Sequence, residues 1–450
     1  MDQRAQVQLP GGTVIGLRKH GIFHARGIKY AEAARFEPPK MVERWDSPID
    51  ATQPAVVCVQ RPSRLAFVMG DIIKGRPMSE DCLTVTVTAP ESILEQPSAK
   101  LPVMVFLHGG AYLSGGGDLD CYYPGSLASR NIVVVNVTHR VGIFGYYPIE
   151  DTAPANLGLL DQIEAMRWVQ KNISYFGGDP ERVTAVGQSA GATTIYCMIV
   201  ADGVERLFQR AILQSTPFGW PDVPLDMSDQ VAHKTKSYFQ SDSRTAPASE
   251  ALEVQLRVLM EAGRLMAWPR FGQYPLPDVA EAKRRMREKA ADYKFLVGWT
   301  LDESVAFANH QPWSSIPLIG PYLKSLITWW DTRTAFIWPS QQFHKDIVKA
   351  GGSSMTYCFR WRPQGSPLLA VHCLELTWLL GSWDAWKDAP FVHGVGSQEV
   401  IERAGKEMKD FWAAFVAGSP SAETLTSGHI DIDQEFSFQA LSRNMHYHQE

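Results

Sequence analysis

Gly187-Gln188-Ser189-Ala190-Gly191 is the stretch of this chain whose residue types point most directly to chemistry. A serine hydroxyl attacks a carbonyl only when a neighbouring base takes its proton. Glycines two residues to either side suit a sharp strand-to-helix corner that thrusts the hydroxyl out of a sheet edge. Alone the pattern is weak, since composition gives about 0.2 chance matches to it in a chain of this length. Its setting gives it weight: it follows the β-branched run Val183-Thr184-Ala185-Val186 and opens a helical segment. A second glycine-rich stretch, His108-Gly109-Gly110-Ala111-Tyr112, follows the apolar run Val103–Leu107. Small residues there let backbone N–H groups approach a substrate carbonyl and receive the charge that develops on its oxygen. A phosphate cradle is disfavoured, because no Walker lysine is present and no GxGxxG opens a helix.

Serine chemistry of this kind takes its acid and then its histidine from further along the chain. Of the histidines after Ser189, only His372 follows a buried-strand run (355–359) across a proline-containing loop and precedes an apolar helix. The run Phe295–Thr300 leads into Leu301-Asp302-Glu303, and on position alone either carboxylate serves. The bland alternative is an N-capping Asp followed by a first-turn Glu.

These residues need elements to hold them. Continuous apolar runs at 103–107, 132–137, 183–186, 211–213, 295–297 and 355–359 mark strands buried on both faces. Between the second and third, Leu159, Ile163, Met166, Val169 and Ile173 form a helical stripe that stops at Phe176-Gly177-Gly178-Asp179-Pro180. Strands alternating with helices predict an α/β fold with a mostly parallel sheet, and closely spaced strands near 6–31 and 84–89 predict an antiparallel N-terminal edge. Gln240–Glu250 reads as loop, followed by a charged helical region to about Ala291. The expectation is one catalytic domain over residues 1–450, with helical cap insertions at approximately 220–291 and 304–350.

Composition sets the outer bounds. With 43 basic against 48 acidic side chains the net charge is -5, no footprint for nucleic acid or an anionic membrane. No run of 18 apolar residues exists, so no membrane insertion is expected. The N-terminus has no basic region followed by an apolar one, which favours a cytoplasmic location. Six cysteines without CxxC or Cys/His zinc spacing imply neither a disulfide framework nor a metal. No cofactor is expected. The expected partner is a small-molecule ester, handled by a monomer or homodimer.

The motifs together resemble the type-B carboxylesterase/lipase family, which includes the cholinesterases and has the α/β-hydrolase fold. The resemblance rests on Ser79-Glu80-Asp81-Cys82-Leu83, His108-Gly109-Gly110, Asp161-Gln162, Phe176–Pro180, the Gly187–Gly191 corner, Ala211–Ser215, Asp302-Glu303 and the His372/Glu375 pair. It implies a serine carboxylesterase with the triad Ser189, Glu303 and His372, which selects Glu303 over Asp302. It also implies an oxyanion hole from the N–H groups of Gly110, Ala111 and Ala190, and buried structural ion pairs Arg35–Glu80 and Arg140–Asp161. Family members often bridge the cysteines matching Cys58 and Cys82, so a disulfide there is a possibility. The loop between those cysteines has no tryptophan, which removes the cholinesterase-like cation–π site. Trp220 is a candidate for lining the acyl pocket. Most of the tryptophans between Trp313 and Trp412 are expected to serve helix packing. An amidase, carbamate hydrolase or acyltransferase would use the same triad, and a triad-less binding module is the remaining alternative.

Overall fold

In the central strands successive side chains go to opposite faces, and both faces are apolar. Val103, Val105 and Leu107 enter one core while Met104 and Phe106 enter the other. The same alternation splits Ala211 and Leu213 from Ile212, and Phe295 and Val297 from Leu296. A strand so composed is stable only with cover on both sides. The computed structural model describes residues 3–96, 98–220, 225–262, 267–308, 320–394, 396–419 and 428–433.

Four antiparallel strands form the N-terminal edge: β1 (Gln3–Leu9), β2 (Gly12–Lys19), β3 (Ile22–Lys29) and β4 (Thr84–Pro90). The parallel part comprises β5 (Leu101–Leu107), β6 (Val133–Thr138), β7 (Gly178–Gln188), β8 (Arg210–Gln214), β9 (Lys294–Thr300), β10 (Ser353–Phe359) and β11 (His429–Ile432). Their spatial order is β1-β2-β3-β4-β6-β5-β7-β8-β9-β10-β11, with a two-residue strand, Ile49–Asp50, beside β2. β6 pairs antiparallel with β4 and parallel with β5, so it joins the two regimes.

Helices α1 (Leu157–Asn172) and α2 (Ala190–Val200) cover one face, α1 burying Leu159, Ile163, Met166 and Val169 of the stripe read from the sequence. α1 runs into a 3₁₀ turn, Ile173–Phe176, and stops where Gly177 takes a left-handed φ of 73°. Between β8 and β9 lie α3 (Leu225–Tyr238), α4 (Ala248–Ala262) and α5 (Val279–Glu288). Between β9 and β10, α6 (Gly320–Asp331) passes through a π-helical stretch, Thr332–Ile337, into α7 (Trp338–Lys349). The long α8 (Ser397–Ala417) packs on the other face of the sheet through Ile401, Met408 and Val416.

The tryptophans divide more evenly than expected. Trp361, Trp378, Trp386 and Trp412 are buried, whereas Trp329, Trp330 and Trp338 are exposed around the π-helical stretch and Trp313 lies outside the described residues. No helix among the described residues is long and apolar enough to cross a membrane.

Candidate active site

β7 ends at Gln188 and α2 begins at Ala190, which leaves Ser189 alone on the corner at φ 55° and ψ -118°. The flanking glycines are needed for close approach. A β-carbon on Gly187 would sit 2.4 Å from the Gly191 carbonyl carbon, and one on Gly191 would sit 2.0 Å from the Leu107 oxygen. The glycine-rich loop after β5 abuts this corner: a β-carbon on Gly109 would lie 3.2 Å from that of Ser189.

The loop then turns through three residues of positive φ, Gly110 (109°), Ala111 (54°) and Tyr112 (61°). Among the described residues the N–H groups of Gly110, Ala111 and Ala190 enter no hydrogen bond, the last being a free donor of a helix N-terminus. Tyr112 Oη donates to the Ala190 carbonyl at 2.8 Å and ties the loop to α2. Below it, His108 stacks on His139 at 4.6 Å. Burial pushes His108 down to about 4 and His139 well below the ordinary histidine range, so both are neutral supports.

The acid and the histidine meet across two loops. His372 Nδ1 lies 2.5 Å from Glu303 Oε2, and both side chains are buried. The other oxygen, Oε1, accepts the Thr300 N–H at 2.7 Å. Asp302 faces elsewhere: it accepts from Arg362 Nε at 2.8 Å and Nη2 at 2.9 Å, and from the Ala370 N–H at 3.0 Å. Thus Glu303 faces the imidazole, while Asp302 staples its own loop to the one carrying His372. Among the described residues the hydrogen bond at His372 Nε2 comes from Gln188 Nε2, at 3.2 Å, rather than from Ser189. Glu375 is driven well above the carboxylate range by burial and then by Glu303, which makes it a neutral acid behind the pair.

A comparison with protein families matches residues 3–316 to the Carboxylesterase family. The chain belongs to the carboxylesterase family. It is 38% identical over 408 residues to the probable N-octanoylanthranilate hydrolase AqdA2 of Rhodococcus erythropolis, spanning 88% of each chain. It is 30% identical over 471 residues to the para-nitrobenzyl esterase of Bacillus subtilis (strain 168), covering 92% of this chain and 90% of that one. A solved structure of PNB esterase superposes with a TM-score of 0.81 over 97% of each chain, at 26% identity. The fold is therefore that of the α/β-hydrolases, and this carboxylesterase is a carboxylic ester hydrolase.

Above the histidine, this carboxylesterase has an aromatic roof that sequence reasoning missed apart from Trp220. The rings of Phe307 and Phe336 each lie 5.4 Å from His372. Trp220 packs on both, at 5.8 and 6.1 Å, and on Trp268 at 5.6 Å, and Trp268 meets Tyr112 edge-on at 5.2 Å. The one available signal was the aromatic content of the two helical excursions.

The expected ion pairs form, with one correction. Arg140 and Asp161 pair through bonds of 2.8 and 2.6 Å and are buried. Arg35 pairs with Glu80, but the pair is only partly buried, Glu80 keeping 30% of its side chain in solvent. Cys58 and Cys82 are both buried free thiols in hydrogen-bond contact, so the possible disulfide is not made. The Val141 N–H occupies Cys58 Sγ at 3.5 Å as well. Among the described residues no three His, Cys, Asp or Glu side chains are grouped to hold a metal.

Proposed function

We propose that this carboxylesterase acts through a Ser189–His372–Glu303 triad and an acyl-enzyme intermediate. The observation that carries the reading is the buried 2.5 Å contact of His372 with Glu303 beside a serine held at a strained corner. His372 takes the Ser189 proton as Oγ attacks the ester carbonyl, and Glu303 keeps the hydrogen on Nδ1 and stabilises the imidazolium that forms. The N–H groups of Gly110, Ala111 and Ala190 receive the oxyanion, each donor being worth roughly 3–4 kcal/mol of barrier. The imidazolium protonates the leaving alcohol, water adds by the same route in reverse, and the acid departs.

The aromatic roof supports small, fairly apolar esters as substrates. It is built from the helical excursions after β8 and after β9, which we read as a cap on one catalytic domain. The relative named for N-octanoylanthranilate favours a second reading, cleavage of N-acyl bonds, because the same triad serves both leaving groups. Ser189→Ala is expected to abolish release of p-nitrophenol from short-chain esters and labelling by a fluorophosphonate. Near-normal turnover in that variant would sink the triad. Assaying p-nitrophenyl octanoate beside N-octanoylanthranilate separates esterase from amidase.

A further inference from the structure

The antiparallel edge departs from the pattern of strands apolar on both faces. In β4, Thr84-Val85-Thr86-Val87-Thr88 alternates without a break, and Val85 and Val87 enter the core. Such alternation ordinarily turns its polar face to water. Here Thr86 and Thr88 are buried all the same, and their face continues across the sheet: Thr86 pairs with Asn136 on β6, and Thr88 with His24 on β3. The 117–124 loop and residues 382–385 flank this polar face, joined where the Gly381 N–H bonds the Tyr123 carbonyl at 2.8 Å. Between them and the sheet is a cleft of about 550 Å³, within the range that small ligands occupy. None of its lining residues belongs to the proposed triad, the oxyanion donors or the aromatic roof.

Deep in the cleft the polar groups hold one another. His24 Nδ1 meets Thr88 Oγ1 at 2.8 Å, and Arg26 Nε gives to both oxygens of Asp118 at 2.9 Å, where the Ala55 N–H also arrives. Asn136 is the exception. It is 2% exposed, and its Nδ2 donates to the carbonyls of Gly117 at 3.0 Å and Tyr122 at 2.9 Å. Two carbonyl partners fix which way the amide faces. Oδ1 is thereby an enclosed acceptor that takes no hydrogen bond among the described residues, a costly state that calls for a donor. The wall of the cleft is aromatic. Tyr123 is 39% exposed, meets His24 edge-on at 5.1 Å, and packs on Gly125, whose added β-carbon would come within 2.5 Å of the ring. Lys19 and Arg26 face Asp118, Asp120 and Asp384 around the cleft, so the charges nearly cancel and neither a strongly anionic nor a strongly cationic ligand is favoured.

We propose that this cleft binds a neutral pyranose sugar. A pyranose has an apolar face of C–H groups, which suits an aromatic wall, and an edge of hydroxyls that both donate and accept. One hydroxyl gives its hydrogen to Asn136 Oδ1, and others give theirs to the rim carboxylates Asp120 and Asp384, which are 78% and 84% exposed. An apolar ligand would leave the Asn136 acceptor unmet, and a phosphate or carboxylate group would bring it only further acceptors. The binding is independent of the triad.

The probes are the methyl pyranosides of glucose, galactose and mannose, titrated calorimetrically into the full chain. At least one is expected to bind with a Kd on the order of 1 mM, while cyclohexanol, which lacks the polar edge, is expected not to bind. Tyr123→Ala removes the wall and is expected to weaken binding by about tenfold. Ala385→Trp fills the cleft from its rim and is expected to abolish binding. Circular dichroism checks that each variant folds, and if one does not, the other decides. Ser189→Ala is expected to bind as wild type does; loss of binding there would place the sugar in the catalytic site and overturn the proposal. So would failure of every glycoside to bind wild type, equal binding of cyclohexanol, or unchanged binding in either folded cleft variant.

Discussion

Glu303 serves two donors at once, the His372 Nδ1–H through Oε2 and the Thr300 N–H through Oε1. A carboxylate accepts at both oxygens, whereas a carboxamide of the same shape accepts at one and donates at the other. Glu303→Gln therefore leaves the packing intact and turns an N–H toward one of those donors. If the amide faces the ring, the imidazole is pushed to the tautomer whose lone pair is on the wrong nitrogen. The expected result is a fall in kcat of about four orders of magnitude with KM nearly unchanged, read by steady-state kinetics. A loss smaller than tenfold would remove Glu303 from the triad.

The loops after β9 and β10 work as one element. Leu301 N–H bonds the Phe359 carbonyl at 2.9 Å, Asp302 N–H bonds the Ala370 carbonyl at 3.0 Å, and the Asp302 carboxylate returns bonds to Ala370 and Arg362. Asp302→Ala cuts the side-chain staple without touching the dyad. A misplacement of the histidine loop by a fraction of an ångström costs about tenfold in kcat, with KM expected within twofold of wild type; an unchanged kcat would show that the backbone bonds suffice. This staple also explains what the sequence could and could not reveal. Asp302 and Glu303 are one peptide apart at the end of β9, so position alone left them equivalent, and only the arrival of Ala370 and His372 separates them. The central strands were legible because both of their faces are buried. β11 was not, being four residues with only Ile430 and Ile432 turned inward. Phe307 and Phe336 were not, because an aromatic residue on a helical excursion looks the same whether it packs on a helix or on a histidine. Gln188 stood in the recognised motif, yet its contact with His372 depends on a loop far along the chain.

Across the whole molecule, two buried histidines, His108 and His139, and the part-buried His24 contribute to the response to acid. Burial holds His24 down to about 3, with Arg26 adding to the effect, and holds His108 down to about 4; His139 lies well below the ordinary range as well. The sign follows from linkage. Each is neutral in the folded chain, whereas the unfolded chain takes up protons near pH 6.5, so their contribution is complete above that value. It is lost as pH falls from 6.5 toward 4 for His108 and toward 3 for His24. At about 1.4 kcal/mol per pH unit, His108 and His24 each withdraw about 2 kcal/mol between pH 6.5 and 5. The urea midpoint is expected to drop over that interval, and His24→Gln, far from the dyad on β3, is expected to flatten the drop. A midpoint independent of pH would contradict the burial argument.

Ala111, Tyr112, Ser189, Ser215 and Cys373 all hold positive φ without being glycine, at about 1 kcal/mol or more apiece. The constellation is thus a sprung assembly kept cocked by the sheet around it. Directed evolution for heat tolerance meets a fork here: glycine at Ser189 would remove the proposed nucleophile outright, and glycine at any of the other four would relax the spring and slacken the chemistry with it. Hardy descendants that still turn over substrate should carry their gains in the antiparallel hairpins and outer helices, and leave these five alone.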